Sequence, residues 1–182
     1  MESSLQLSWQ FGRERKQKLN IMDTTEIKYK HKRAYMECAE AFAKCSVGKR
    51  LTVGTVIVKN NRIISCGYNG LPQAIDGPLE DENNITRSEV RHSEKNALMG
   101  LIRSTESAGG AIMFCTHSCC KPCSIDIVDA GITHFIYKHE YRCTDGLEYL
   151  EKNGVKVEKF EEKENCSCIE PYLRCNANEH KQ

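Results

Sequence analysis

Residues 111–160 read AIMFCTHSCCKPCSIDIVDAGITHFIYKHEYRCTDGLEYLEKNGVKVEKF, and this stretch decides the fold. An apolar strand at 111–116 leads to a helical pattern at 122–130, a strand at 133–138, a helix at 145–153 and a last strand at 155–160. Gly131 and Gly154 each follow a helical segment, where a left-handed residue commonly ends the helix. Strands joined through helices by short links make right-handed crossovers, so the three strands pair in parallel.

Working back towards the N-terminus, Ala97, Leu98, Leu101 and Ile102 lie at helical spacing and predict a helix over 90–102. Before it, residues 71–89 hold Pro72, Gly77, Pro78 and the acidic run Glu80-Asp81-Glu82. That composition predicts an irregular surface loop, of a length that often serves as a lid. Two short strands, 53–58 and 62–67, flank Lys59-Asn60-Asn61 and predict a β-hairpin. Tyr35, Cys38, Ala39, Phe42 and Ala43 recur three and four apart, the stripe of an amphipathic helix over 29–45. The whole is an α/β fold with a mixed sheet covered by helices.

A chain of 182 residues suits one compact domain, here 27–160. Residues 1–26 read as a flexible extension with a basic cluster, and 161–182 as a polar tail containing Cys166, Cys168 and Cys175. The formal net charge is +1, with 26 basic and 25 acidic side chains, so the chain lacks the positive field of non-specific nucleic-acid binding. A small-molecule substrate fits better than a nucleic acid or a membrane. With neither a membrane-length apolar run nor a secretory leader in view, the expectation is a cytoplasmic protein. Its eleven cysteines are then expected to stay thiols, some of them on a metal.

The chemistry concentrates at two predicted helix starts, His92-Ser93-Glu94 and Cys120-Lys121-Pro122-Cys123. Cysteines three apart at a helix start share a face, and the positive helix end favours the thiolates that bind zinc. Pro122 suits a first turn because its missing N–H would go unpaired there. Two thiolates and one imidazole give Zn²⁺ three protein ligands and leave a fourth position for water, the pattern of a catalytic site. A non-ligand carboxylate is then needed to move protons, and Glu94 is placed for that task provided the chain is still leaving its loop at His92.

His92-Ser93-Glu94-Lys95-Asn96-Ala97 with Ser118-Cys119-Cys120-Lys121-Pro122-Cys123 resembles the cytidine/deoxycytidylate deaminase superfamily, whose general pattern is H-x-E followed by P-C-x-x-C. Gly67-Tyr68-Asn69-Gly70 is similar to the deoxycytidylate branch. Over about residues 29–160 the resemblance implies a three-layer α/β/α fold with a five-stranded mixed sheet. It implies His92, Cys120 and Cys123 as zinc ligands, Glu94 as general acid/base, Asn69 as a nucleotide contact, and Tyr141 and Arg142 as pocket residues. It further implies hydrolysis of dCMP to dUMP for thymidylate supply, by a homo-oligomer that is usually a hexamer, with dCTP and dTTP as effectors. The alternatives are a deaminase of another cytosine nucleoside, nucleotide or base, and a non-catalytic zinc-binding interaction protein whose fourth ligand is Cys119 or a tail thiol.

Two positions depart from the pattern: Cys119 stands where the family usually has proline, and Ser93 where it has alanine. Of Cys119 and Cys120, only the latter lies three residues before Cys123. Ser93 brings a hydroxyl able to form a local hydrogen bond. Some relatives bind a second, structural zinc through histidines in the preceding loop; residues 71–91 contain none, so one zinc is expected. His117 adjoins the cysteine loop, and Arg142, Lys49, Arg50 and Arg91 are the candidate cations for a 5′-phosphate.

Overall fold

The computed structural model describes residues 27–163, so the expectations for 1–26 and for Cys166, Cys168 and Cys175 lie outside it. Helix α1 (Tyr29–Ala43) precedes the hairpin β1 (Gly54–Lys59) and β2 (Arg62–Tyr68); then come α2 (Ser93–Leu101), β3 (Ile112–His117), α3 (Lys121–Asp129), β4 (His134–His139), α4 (Asp145–Lys152) and β5 (Lys156–Lys159). The five strands form one mixed sheet in the order β2-β1-β3-β4-β5. β1 is antiparallel to both β2 and β3, whereas β3, β4 and β5 run parallel, as the crossover argument requires. Gly131 and Gly154 take positive φ angles of 77° and 80° behind α3 and α4. In the hairpin, Asn60 and Asn61 both adopt left-handed angles, matching the turn to the twist of its strands.

Alternation along the central strands builds three layers. Val56 and Val58 of β1, Phe114 of β3 and Ile136 of β4 pack with Met36 and Ala39 of α1. Their neighbours Ile57, Met113, Cys115, Phe135 and Tyr137 face the other way, into a core with Ala97 and Leu101 of α2, Ile127 of α3 and Leu147 and Leu150 of α4. The sheet therefore lies between α1 and the α2–α3–α4 layer, the expected α/β/α arrangement. A bulge between Ile57 and Val58 adds one residue to β2.

α2 begins at Ser93, three residues later than its apolar spacing suggested, because Arg91 is still extended and pairs with Gly70. That delay leaves His92 at the N-cap. Two close approaches then set the helices over one end of the sheet. A Cβ on Gly67 of β2 would lie 2.5 Å from Ser93 O and Ala97 N, and one on Gly146 of α4 would overlap the Cys119 carbonyl and stand 2.9 Å from Cys120 C. Glycine is thus a steric requirement at both places.

His134 of β4 is largely covered, its side chain 12% exposed, beside Lys32, Lys156 and Glu158. Its Nε2 lies 3.1 Å from Glu158 Oε2 without the alignment of a hydrogen bond, while Lys32 Nζ holds Glu158 Oε1 at 2.6 Å. Burial, with the charges of Lys156 and Lys32, pushes the imidazole down to about 4, against the pull of Glu158. The unfolded chain therefore binds a proton near pH 6.5 that the fold rejects, and stability falls as pH drops from about 6.5 to about 4, by at most ~3 kcal/mol. His134→Gln should flatten urea-unfolding free energies across that interval. Gly146→Ala should cost about 2–4 kcal/mol at neutral pH in the same measurement.

Candidate active site

The loops before β1 and after β2, β3 and β4 meet at the end of the sheet occupied by the β3 carboxyl terminus and line a cavity of about 550 Å³. Its wall takes Val53 before β1, Asn69 after β2, His117 at the end of β3 and Ser118 after it, and Glu140, Tyr141 and Arg142 after β4. Leu79, Glu80 and Thr86 come from the long loop, so that segment walls the cavity, and His92, Ser93, Glu94 and Cys120 complete it.

His92, Cys120 and Cys123 lie together, their donor atoms all within 4.8 Å of one another. Cys120 Sγ is 3.3 Å and Cys123 Sγ 3.4 Å from His92 Nδ1. Tetrahedral zinc, with bonds of about 2.3 Å to sulfur and 2.0–2.1 Å to nitrogen, separates such donors by about 3.5 Å. The residues present therefore fit zinc. His92 and Cys120 are the N-cap residues of α2 and α3, in extended conformations and without side-chain capping bonds. Both helices thus give up the capping that Ser, Thr, Asp or Asn would supply and turn those side chains to the cluster. Among the described residues no fourth His, Cys, Asp or Glu joins it; Cys119 is buried apart, its thiol pushed up by burial and by Glu94. Cys120 is pushed down to about 4, first by the hydrogen bond from Cys123 and then by His92, against its own desolvation. Its partner Cys123 is pushed up correspondingly, and His92 is raised chiefly by its bond to Cys120.

Glu94, in the first turn of α2, is only 4% exposed. Burial raises its carboxyl above the usual range, against the lowering effects of its own backbone N–H, of His92 and of Ser93. Ser93 Oγ donates to Glu94 Oε2 at 3.0 Å and pairs with Thr55 Oγ1 at 2.7 Å. The hydroxyl at this departure from the family pattern is thus spent on orienting Glu94. Asn69 lines the cavity, yet its side chain is anchored twice: Nδ2 donates to Leu51 O at 2.9 Å and Oδ1 accepts from Val53 N at 2.7 Å. It shapes the wall through residues 51–53. The Tyr141 amide donates to Ser118 Oγ at 2.7 Å, and the Arg142 guanidinium lies 5.3 Å from the Tyr141 ring centre. Of the four candidate cations, Arg50 and Arg142 reach the cavity and Lys49 and Arg91 do not. The readings from sequence missed Leu79, Glu80 and Thr86, which carry no signal beyond membership of a polar loop, and Val90, which fits the helical spacing that follows.

Residues 29–139 match the family model described as the cytidine and deoxycytidylate deaminase zinc-binding region. The structure is similar to a dCMP deaminase from cyanophage S-TIM5 solved with dCMP and dUMP, with a TM-score of 0.73 and 43% identity over 74% of this chain and all of that one. A deoxycytidylate deaminase of Saccharomyces cerevisiae is 29% identical over 69% of this chain, and one of Mycobacterium phage D29 is 32% identical over 58% of it. The chain spans 43% of the yeast protein's length and 92% of the phage protein's. It belongs to the cytidine and deoxycytidylate deaminase zinc-binding family.

Metal analysis by inductively coupled plasma mass spectrometry should find one zinc per chain. His92→Ala, Cys120→Ser and Cys123→Ser should each lose it, whereas Ser93→Ala and Cys119→Ala should retain it.

Proposed function

We propose that the protein hydrolyses dCMP to dUMP and ammonia. One observation carries this reading: a buried carboxylate, Glu94, shares a cavity with the His92–Cys120–Cys123 cluster, and two arginines stand in the same wall. The cyanophage relative, of which this chain covers the full length, was solved with dCMP and dUMP.

His92 and the thiolates of Cys120 and Cys123 would hold the zinc, which when bound supplies the Lewis acidity that makes water a nucleophile near neutral pH. Glu94 takes a proton from the attacking water as its oxygen bonds to C4 of the pyrimidine. It passes that proton to N3, then shuttles the remaining hydroxyl proton to the exocyclic amine, and the C4–N bond breaks to release ammonia. Because burial favours the protonated carboxyl, Glu94 can hold the proton between these transfers. Ser93 fixes which oxygen faces the reaction. Arg50 and Arg142 meet the 5′-phosphate, and Tyr141 packs beneath Arg142. Such a cavity accepts a mononucleotide; a long strand of nucleic acid needs a far more basic surface.

The same reading makes the protein a cytoplasmic enzyme of nucleotide supply that self-associates, with dCTP and dTTP as effectors by family resemblance. Met99 on α2 and Ile102 at its C-terminal cap, 41% and 70% exposed, lie together with Leu98 and Ala108 in an apolar surface depression that supports association.

Ammonia release from dCMP, CMP, deoxycytidine and cytidine should be fastest for dCMP with zinc-loaded protein. Glu94→Gln should lower kcat by about 10²–10⁴-fold while keeping the metal. Turnover of deoxycytidine as fast as dCMP would replace the mononucleotide assignment by a nucleoside one, and no turnover of any of the four would leave a binding role.

A further inference from the structure

Within residues 71–90 only Leu79 and Glu80 are buried, although the segment is otherwise a polar surface loop. Glu80 is 6% exposed and belongs to the cavity wall. Its Oε1 accepts from the amides of Lys49 at 3.0 Å and Arg50 at 3.3 Å, which fixes the side chain in place. Its Oε2 is buried and, among the described residues, has no hydrogen-bond partner. An unpaired buried carboxylate oxygen is costly, and one in a cavity wall calls for a donor from what the cavity holds.

We infer that Glu80 Oε2 receives the 3′-hydroxyl of the nucleotide's deoxyribose, an inference that rests on the deaminase reading. A carboxylate oxygen accepts hydrogen bonds and repels anions, so its partner is a neutral donor and not the 5′-phosphate. The phosphate has Arg50 and Arg142. The exocyclic amine of the base goes to Glu94 and the metal cluster. A 2′-deoxynucleoside monophosphate then has one donor left, the 3′-hydroxyl. A nucleotide esterified at O3′ loses that donor and brings a phosphate against a buried carboxylate. Glu80 thereby restricts the cavity to free mononucleotides, where the reacting end of the site alone would accept a terminal or looped-out base.

The test compares kcat/KM of the zinc-loaded full chain for dCMP, for 2′,3′-dideoxycytidine 5′-monophosphate and for deoxycytidine 3′,5′-bisphosphate. Wild-type protein should prefer dCMP over the dideoxy analogue by about 10–100-fold and should barely turn over the bisphosphate. In Glu80→Ala the preference for dCMP should fall to near unity, read as the ratio of the two kcat/KM values so that any common loss from freeing residues 49–50 cancels. Glu80→Gln keeps an oxygen for the Lys49 and Arg50 amides and offers only a neutral bond to the sugar, so an intermediate preference is expected there, and it serves as the test should the alanine variant not fold. Equal losses on dCMP and the dideoxy analogue, or an unchanged preference in both variants, would overturn the inference and reduce Glu80 to a tie on residues 49–50. Wild-type turnover of dCMP without any preference over the dideoxy analogue would overturn it while leaving the deaminase reading intact, and a wild-type protein inactive on all three would overturn both.

Discussion

Two helix N-termini converge over one end of the sheet, and the chemistry depends on how closely they are held. α2 lies against β2 because Gly67 has no side chain, and α4 lies against the Cys119–Cys120 loop because Gly146 has none. These contacts bring His92, the cap of α2, within hydrogen-bond distance of Cys120, the cap of α3. Both helix dipoles then direct positive ends at the thiolates. A displacement of a few tenths of an ångström at either glycine would move a donor atom directly, since the caps are only a residue or so from the close contacts.

The cavity is polarised around this cluster. Buried carboxylates occupy two separate places, Glu94 on α2 and Glu80 on the long loop, while the cations Arg50 and Arg142 are exposed. Each carboxylate is tied at one oxygen: Ser93 donates to Glu94 Oε2, and the Lys49 and Arg50 amides donate to Glu80 Oε1. Fixing the charged groups before a ligand arrives avoids ordering them during binding, which matters most where water is excluded and each charge is felt strongly.

The sheet was legible in the sequence because its strands are apolar and its helices periodic over 111–160, and parallel pairing followed from the crossovers. The metal cluster was legible because cysteines three apart and a histidine two before a carboxylate, each weak alone, occur together in this order and each open a helix. The start of α2 was misplaced by three residues, since Val90 and Arg91 fit the helical spacing and only a tertiary pairing with Gly70 keeps the backbone extended there. Asn69, expected by resemblance to touch a nucleotide, does line the cavity, and its side-chain bonds to Leu51 and Val53 hold that part of the wall. Glu80 was invisible for a different reason. In Glu80-Asp81-Glu82 three acidic residues look alike in sequence, and only the bridge from Glu80 to Thr86 and the nearby 49–50 turn bury the first of them.

The two ends of the cavity differ in how freely they can vary. The cluster and Glu94 sit on helix starts locked to the sheet, so the reacting end of the cavity has little freedom to vary. The long loop is anchored by Leu79, which is buried, and by the Glu80 contacts, while residues 81–86 are all exposed. Substitutions among the exposed positions leave the core untouched, whereas a change at 79 or 80 alters the wall itself. Selectivity among ligands of this cavity is therefore expected to reside in a few buried loop positions, where a single polar atom left unpaired can reject a wrong ligand more strongly than added apolar contact can favour a right one.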